Sequence, residues 1–114
     1  MGYLIDSNVL SELRKPKCVE QVAGWFRKID PSELFTSVLV LAEDLDAAFE
    51  DRVLGVSLAV ANRWAELMVP DPVPVIDGLL AATASVHELT FVTRNTKDVA
   101  RTGVNLFDPF HSAG

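Results

Sequence analysis

The chain opens with the stretch Tyr3-Leu4-Ile5-Asp6-Ser7-Asn8-Val9-Leu10-Ser11-Glu12-Leu13. Its apolar start predicts a short buried strand over 3–5, and the polar pair after Asp6 predicts the beginning of a helix. Asp6 would then lie at the carboxyl end of the strand, where open α/β sheets place their ligand-binding crevice. A carboxylate at that place is either the cap of the following helix or the partner of a cation. The stretch alone leaves both interpretations open.

The rest of the chain alternates between short apolar runs and segments with helical spacing of apolar residues. Strands are predicted at 34–37, 52–56, 90–93 and 104–107, and helices at 18–29, 38–49, 57–68, 76–88 and 96–101. Three prolines make 69–75 a connection. Strands that alternate with helices predict one α/β domain over 1–114, an α/β/α sandwich with a mostly parallel central sheet flanked by helices.

The composition favours a globular protein and limits its partners. Of the 114 residues, 49% are hydrophobic, which is enough for one buried core. The apolar runs are too short to span a membrane and the start lacks signal-peptide features, so we expect a cytoplasmic protein. Cys18, the single cysteine, leaves no internal disulfide and no paired zinc spacing. The net charge of -6 argues against a broad basic surface that binds nucleic acid. A cluster of carboxylates that holds divalent ions would nevertheless present positive charge to a ligand.

Four acids follow predicted strands or lie near the beginnings of helices: Asp6, Glu43, Asp77 and Asp98. Asp77 interrupts the otherwise apolar stretch 75–82. Taken alone, it is slightly better explained as a first-turn carboxylate that the helix dipole favours. Taken together, the acids favour a hard-cation site, because Mg²⁺ and Mn²⁺ accept oxygen ligands from a few carboxylates.

Four motifs follow one another along the chain, at 4–14, 41–43, 77–84 and 92–98. In that order they resemble the PIN-domain ribonuclease toxins of the VapC type, near the FitB-like branch, from type II toxin-antitoxin systems. The resemblance covers nearly the whole chain and implies a single PIN domain with Mg²⁺- or Mn²⁺-dependent endonucleolytic cleavage of RNA. It also implies neutralisation by a cognate VapB-type antitoxin, a homodimer and a toxin-antitoxin hetero-oligomer, with no membrane association.

The resemblance also assigns roles to individual residues. The metal-binding acids would be Asp6, Glu43 and Asp77, and Asp98 would complete the catalytic acidic cluster. The residues that orient Asp6 or its water would be Ser7 and Asn8. The remaining positions would be Arg94, which could face the RNA backbone, and Asn95, which holds a polar position that many relatives fill with a second Asp.

The chain departs from the family directly after Glu43. Such toxins usually continue through two helices before the next strand, whereas here Asp44 follows at once. The shortfall is roughly twenty residues or more, which corresponds to a helical hairpin. Either the hairpin is deleted, or a mobile segment has been left out between Glu43 and Asp44. We favour the second explanation because most loop disorder is simply mobility, and it predicts a wide separation of the two residues with helix ends on both sides.

Two other functions fit parts of the sequence. A phosphotransferase could use Asp6 as its nucleophile, but the haloacid-dehalogenase type requires a second Asp two positions on, where this chain has Asn8. A catalytically impaired PIN-like module would only bind its partner, which fits the shortfall after Glu43 and the negative net charge. His87 and His111 have no mutual spacing or partner acid that suggests a general base, so we interpret them as surface or packing residues.

Overall fold

The computed structural model describes residues 2–41 and 53–111, and these ranges form a five-stranded sheet with helices packed against it. The strands are β1 (Tyr3–Ile5), β2 (Leu34–Ser37), β3 (Val53–Leu54), β4 (Thr90–Val92) and β5 (Leu106–Phe107). The helices are α1 (Ser7–Leu13), α2 (Glu20–Lys28), α3 (Val38–Leu41), α4 (Leu58–Leu67), α5 (Val75–Val86) and α6 (Thr96–Val99). Two short 3-10 segments, Pro31–Glu33 and Ala100–Thr102, precede β2 and follow α6.

All strand pairings in the described sheet are parallel, in the order β3-β2-β1-β4-β5. β1 lies at the centre, with Tyr3 opposite Leu34 of β2 on one side and Thr90 of β4 on the other. Because neighbouring parallel strands end at the same edge, the residues that follow β1 and β4 lie side by side there. The predicted α/β architecture with a mostly parallel sheet is confirmed.

The core is made of aliphatic and aromatic side chains from the sheet and the helices around it. The central strands contribute side chains that are completely buried, namely Leu4, Ile5, Phe91 and Val92. Such continuous apolar runs are typical of parallel strands covered on both faces. The helices contribute the buried side chains Val9, Val22, Val60 and Leu80 to the same cluster. Within the described ranges no helix combines the length and the apolar character that crossing a bilayer requires.

The observed elements agree with the predicted ones except at their ends. The strands predicted at 3–5 and 34–37 have the predicted bounds, whereas the one predicted at 52–56 covers only Val53–Leu54. The helix predicted over 38–49 begins at Val38, and the Oγ of Ser37 caps it by accepting a hydrogen bond from the backbone N–H of Leu39 at 3.1 Å. Its later part, with Glu43 and the break predicted at 43/44, lies outside the described residues.

A buried acid that the sequence analysis did not single out joins α1 to α2. The side chain of Glu12 is only 5% exposed and accepts hydrogen bonds from the backbone N–H of Val19 at 2.9 Å and from Nζ of Lys15 at 3.0 Å. The bond from Val19, followed by that from Lys15, holds the pKa of Glu12 below its ordinary value of 4.5. Val19, the residue before α2, makes no side-chain cap. Its backbone bond to Glu12 therefore fixes the start of α2 at Glu20 rather than at the predicted Cys18.

Glu12→Gln should destabilise the protein at neutral pH and have little effect in acid. Since the folded pKa is lowered, the carboxylate stabilises the fold above pH 4.5, and this contribution is lost as the pH falls through the folded value. Urea unfolding of both proteins between about pH 3 and pH 7 measures the difference. Glu20→Gln, on an exposed acid of α2, is the control. A difference between Glu12→Gln and the parent that is constant with pH would contradict the role given to this charge.

The chain leaves the 3-10 segment after α6 at Gly103, whose φ of 74° lies in the left-handed region. A Cβ at this position would meet no atom within 4 Å, so a side chain would add backbone strain without a clash. Gly103→Ala should therefore lower the free energy of unfolding by about 1 kcal/mol. Gly24→Ala is the opposite case, because its Cβ would lie 4.0 Å from its nearest neighbours within α2. Gly24→Ala should raise the free energy of unfolding by about 0.5 kcal/mol or more, because alanine has the higher helix propensity. If urea unfolding showed that both variants change the free energy of unfolding in the same direction, the strain assigned to Gly103 would be contradicted.

Candidate active site

Asp6 is the N-terminal cap of α1, and it is almost completely buried, with 4% of its surface exposed. Its Oδ1 accepts a hydrogen bond from the backbone N–H of Ser7 at 2.7 Å, and its Oδ2 accepts one from Oγ1 of Thr93, also at 2.7 Å. Its backbone N–H extends the ladder between β1 and β4 by donating to the carbonyl of Val92 at 3.0 Å. The interpretation as a cap is confirmed, and a ligand role remains compatible with it because each carboxylate oxygen has more than one lone pair.

Thr93 connects the polar residues around Asp6. Its buried hydroxyl donates to Asp6 and accepts hydrogen bonds from Nδ2 of Asn8 at 3.4 Å and from the backbone N–H of Asn95 at 3.1 Å. Oδ1 of Asn8 in turn accepts a bond from the backbone N–H of Arg94 at 3.3 Å. These bonds join the connection after β4 to the end of β1. The sequence analysis gave Thr93 no role, although a hydroxyl directly after the strand beside β1 was a usable signal.

Asp77 lies in the first turn of α5 and is half-buried. Its burial, followed by the negative charges of Asp6 and Asp98, raises the pKa of Asp77 above its ordinary value of 3.8. Carboxylates affect one another in this way only at short range. The pKa of Asp77 thus responds to the charges of two other predicted acids, while Glu43 lies outside the described residues. In residues 2–41 and 53–111, no set of three or more His, Cys, Asp or Glu side chains is arranged to hold a metal ion.

Close packing behind Asp77 fixes the start of α5. A Cβ on the next residue, Gly78, would lie 3.0 Å from Cγ2 of Val73 and 3.2 Å from two ring atoms of Trp64 on α4. The absence of a side chain at Gly78 thus allows α5 to approach α4 closely. This packing explains why a glycine follows the acid in the motif at 77–84.

The other predicted polar residues border these acids. The hydroxyl of Ser7 lies 3.5 Å from Oδ1 of Asp6. Arg94 is exposed, and its guanidinium carbon lies 4.4 Å from the centroid of the Phe110 ring. Asn95 and Asp98 are exposed and line the same small cleft. The structure thus gathers the residues assigned to orientation and substrate contact around the same edge of the sheet.

Both histidines are exposed, in agreement with their interpretation as surface residues. The Nε2 of His111 lies 3.8 Å from Oδ2 of Asp108. The two residues are three positions apart in the turn that follows β5. That turn was predicted neither as an element nor as part of a site.

Comparison with known proteins gives no matching family model but two curated relatives. Toxin FitB of Neisseria gonorrhoeae is 26% identical, in an alignment that covers 95% of this chain and 98% of the relative. VapC ribonuclease Y4jK of Sinorhizobium fredii is 25% identical, with 96% and 99% covered. The alignments extend over 136 and 138 residues, more than the 114 of this chain, so both relatives have residues without a counterpart here.

Solved structures of toxin assemblies share the fold. FitAcB from Neisseria gonorrhoeae has a TM-score of 0.88 and 25% identity, covering 96% of this chain and 99% of that chain. FitAB bound to an IR36 DNA fragment has a TM-score of 0.89 and 24% identity, with 98% of each chain covered. DNA-bound VapBC from Salmonella typhimurium has a TM-score of 0.73 and 19% identity, with 96% and 98% covered. In fold and along nearly its whole length, this chain is similar to toxins of the VapC/FitB type.

Proposed function

We propose that the chain is an endoribonuclease toxin that hydrolyses RNA phosphodiester bonds with Mg²⁺ or Mn²⁺ as its cofactor. The observation that carries this proposal is the buried, hydrogen-bonded carboxylate of Asp6 at the end of β1, whose charge, with that of Asp98, acts on Asp77. Carboxylates that repel one another destabilise a fold, so acids that act on one another in this way favour a function that needs them. The name of one relative, a VapC ribonuclease, supports the same reaction.

The donor chemistry of these residues fits a hard divalent cation. Asp6, Asp77 and Glu43 would hold the metal through carboxylate oxygens, the ligands that Mg²⁺ and Mn²⁺ prefer. Two of these three are described, and the third would complete the set. When bound, the ion would polarise the phosphate and lower the pKa of an attacking water.

The described residues prepare the site for this chemistry. The hydrogen bonds from Ser7 and Thr93 engage both oxygens of Asp6 and so fix the plane of its carboxylate. Thr93 is itself held by Asn8 and by the backbone of Asn95. Supporting hydrogen bonds of this kind keep a ligand in its productive orientation before the substrate arrives. The reaction needs no side-chain nucleophile, because water attacks the phosphorus.

We also propose that a cognate VapB-type antitoxin neutralises the chain and that the toxin subunit is a homodimer within a larger assembly. One structural neighbour is a toxin-antitoxin complex from Klebsiella pneumoniae, with a TM-score of 0.78. Large apolar side chains are exposed on this chain, among them Leu58 and Val69. Exposed apolar surface of this kind is suited to a protein partner.

A catalytically impaired module that only binds its partner is the second candidate. Two observations favour it, the net charge of -6 and the residues that both curated relatives have in addition. The purified chain would then bind an antitoxin but leave RNA intact. A cleavage assay separates the two candidates directly.

Asp77→Asn should lower RNA cleavage by about a hundredfold or more. The same change should stabilise the metal-free protein at neutral pH. Because the folded pKa of Asp77 is raised, the parent loses stability as the pH rises from below 3.8 through the folded value, and the variant does not. Cleavage of single-stranded RNA with Mg²⁺ or Mn²⁺ measures the first effect, and urea unfolding in EDTA measures the second.

Asp71→Asn is the matched control for this experiment, since it makes the same change on an exposed acid 3.8 Å from Arg101. Its cleavage rate should equal that of the parent. Cleavage that persists in Asp77→Asn, or that EDTA leaves unchanged, would refute the metal-dependent mechanism. An inactive parent that binds an antitoxin would favour the second candidate.

Thr93→Val should lower both the stability and the activity of the chain. The change preserves the shape of the side chain but removes the hydroxyl, which leaves the buried Asp6 carboxylate without one of its donors. The free energy of unfolding should fall by about 1–3 kcal/mol, and cleavage should fall by about tenfold or more. Thr93→Ser, which keeps the hydroxyl, should lose less of both. A Val variant with the stability and rate of the parent would show that Thr93 does not orient Asp6.

A further inference from the structure

A second cleft, of about 350 Å³, opens at the edge of the sheet opposite the acids and is called the distal cleft below. Its walls are the turn that joins α5 to β4 and the connection that leads into β5, so it lies at the amino ends of these two strands. The described residues that line it include Ser85, Glu88, Leu89, Gly103, Val104 and Asn105. None of them belongs to the candidate active site.

Glu88 is held in a backbone conformation that disfavours a side chain. Its φ of 56° lies in the left-handed region, and within the described ranges it is the one residue other than glycine with a positive φ. The turn after α5 requires this conformation, because the backbone N–H of the next residue, Leu89, donates to the carbonyl of Ala84 at 2.8 Å. Glycine is the usual residue in such a turn, since it has no Cβ. A glutamate here costs stability, so its presence favours a role for its side chain.

The charge in the distal cleft is negative. Among the described residues that line it, Glu88 carries the only charged side chain, and its exposed carboxylate has no ion-pair partner in residues 2–41 and 53–111. The C-terminal end of α5, where the helix dipole is negative, lies in the same wall, and the last turn of α5 has no basic residue. Arg63 of α4 donates from Nε to Oγ of Ser85 at 3.0 Å, but its charge is paired, because Nη1 lies 3.0 Å from Oε1 of Glu66. These features favour a cationic ligand.

The other groups in the wall suit a long cationic side chain. Leu89, which is buried, and Val104, which is half-buried, provide apolar surface for an aliphatic stem. Glu88 and Asn105 contribute carboxylate and amide oxygens that can accept hydrogen bonds. The far wall is fixed before a ligand binds, since the carbonyl of Asn105 accepts a hydrogen bond from the backbone N–H of Phe91 at 2.8 Å. A guanidinium matches this set, because it combines such a stem with donors that pair with a carboxylate in a fixed geometry.

We propose that the distal cleft receives an arginine side chain of the antitoxin, with Glu88 as its ion-pair partner. The inference rests on the proposed antitoxin partnership and adds to it a contact away from the acids. The net charge of -6 favours a basic protein as the partner of this chain. The volume lies at the lower end of the range for small-ligand sites, roughly 300–1,000 Å³, so the cleft accommodates one long side chain. Arginines that fill pockets are frequent anchors of protein interfaces.

N-acetyl-arginine amide should bind in the distal cleft, whereas N-acetyl-citrulline amide, which has nearly the same shape but no charge, should not. In an NMR titration of the chain, the backbone amide shifts of 84–89 and 103–105 should saturate with the arginine probe. Glu88→Gln should weaken this binding about fivefold or more. Glu20→Gln, which removes the charge of an exposed acid on α2, should not weaken it. Equal shifts with both probes, or no saturable shifts at the cleft, would overturn the proposal.

Glu88→Gly separates the charge of Glu88 from its backbone strain. It should raise the midpoint of thermal unfolding by a few degrees, because glycine adopts the left-handed conformation without strain. It should also lose affinity for the arginine probe to the same extent as Glu88→Gln, which keeps the strain and should unfold near the temperature of the parent. A glycine variant that binds the probe as tightly as the parent does would show that the Glu88 carboxylate is not the ligand.

The complex with the cognate antitoxin identifies the source of the cation. Its Kd should rise about fivefold to tenfold in Glu88→Gln, with a smaller difference at high salt, and should not change in Glu20→Gln. A parental Kd in Glu88→Gln, although the arginine probe binds the cleft of the parent, would overturn the antitoxin as the source and indicate a free cationic compound. A parent that binds the probe but no antitoxin would refute the proposed partnership and with it the source named here, whereas RNA cleavage tests the proposed reaction separately.

Discussion

The hydrogen bond of 2.7 Å between Thr93 and Asp6 is the contact on which this edge of the sheet depends. The parallel order β2-β1-β4 brings the ends of neighbouring strands together, and this places a carboxylate where water has been excluded. A buried carboxylate is tolerated only when it has hydrogen-bond partners. Among its partners, Ser7 belongs to the following helix and Thr93 to the connection after β4, so the satisfaction of Asp6 requires both local and long-range structure to be correct. The hydrogen bonds of the Asp6 side chain therefore depend on the register of β1 against β4 as well as on the start of α1.

Unlike Asp6, Asp77 lies where its negative charge destabilises the fold. Its burial and its acidic neighbours disfavour its charge, while the packing of Gly78 against Trp64 and Val73 leaves α5 little freedom to move away. The fold thus holds Asp77 in an unfavourable electrostatic position by means of favourable packing. Residues that break a local rule of stability in this way are expected mainly at functional sites. Hydrogen bonds offset the cost of burying the Asp6 carboxylate, and a bound cation would offset the cost of burying that of Asp77.

Much of the fold followed from the sequence because its signals are periodic and local. The strands at 3–5 and 34–37 were predicted with their observed bounds, and Ser37 caps the helix that was predicted to follow. The roles of Glu12 and Thr93 did not follow, because each depends on a partner that only the folded chain brings close. In sequence, Glu12 is one more polar residue of a helix, yet it is buried against the linker before α2. For the candidate site, the positions of four acids after strands or near helix starts singled them out, and the resemblance to a family assigned their roles. In the structure the charges of Asp6 and Asp98 act on Asp77, and Glu43 lies outside the described residues.

In the connection after β4, two adjacent residues have different roles. The side chain of Thr93 is buried and holds Asp6, whereas that of Arg94 is exposed and stacks on Phe110. A single step along the chain therefore changes the environment from the buried acid to the small exposed cleft of the candidate site. Asn8 holds the same connection at two points, because its Nδ2 donates to the side-chain hydroxyl of Thr93 and its Oδ1 accepts from the backbone N–H of Arg94. Because Asn8 belongs to α1, the orientation of Asp6 and the placement of Arg94 depend on the same helix, and a shift of α1 would disturb both together.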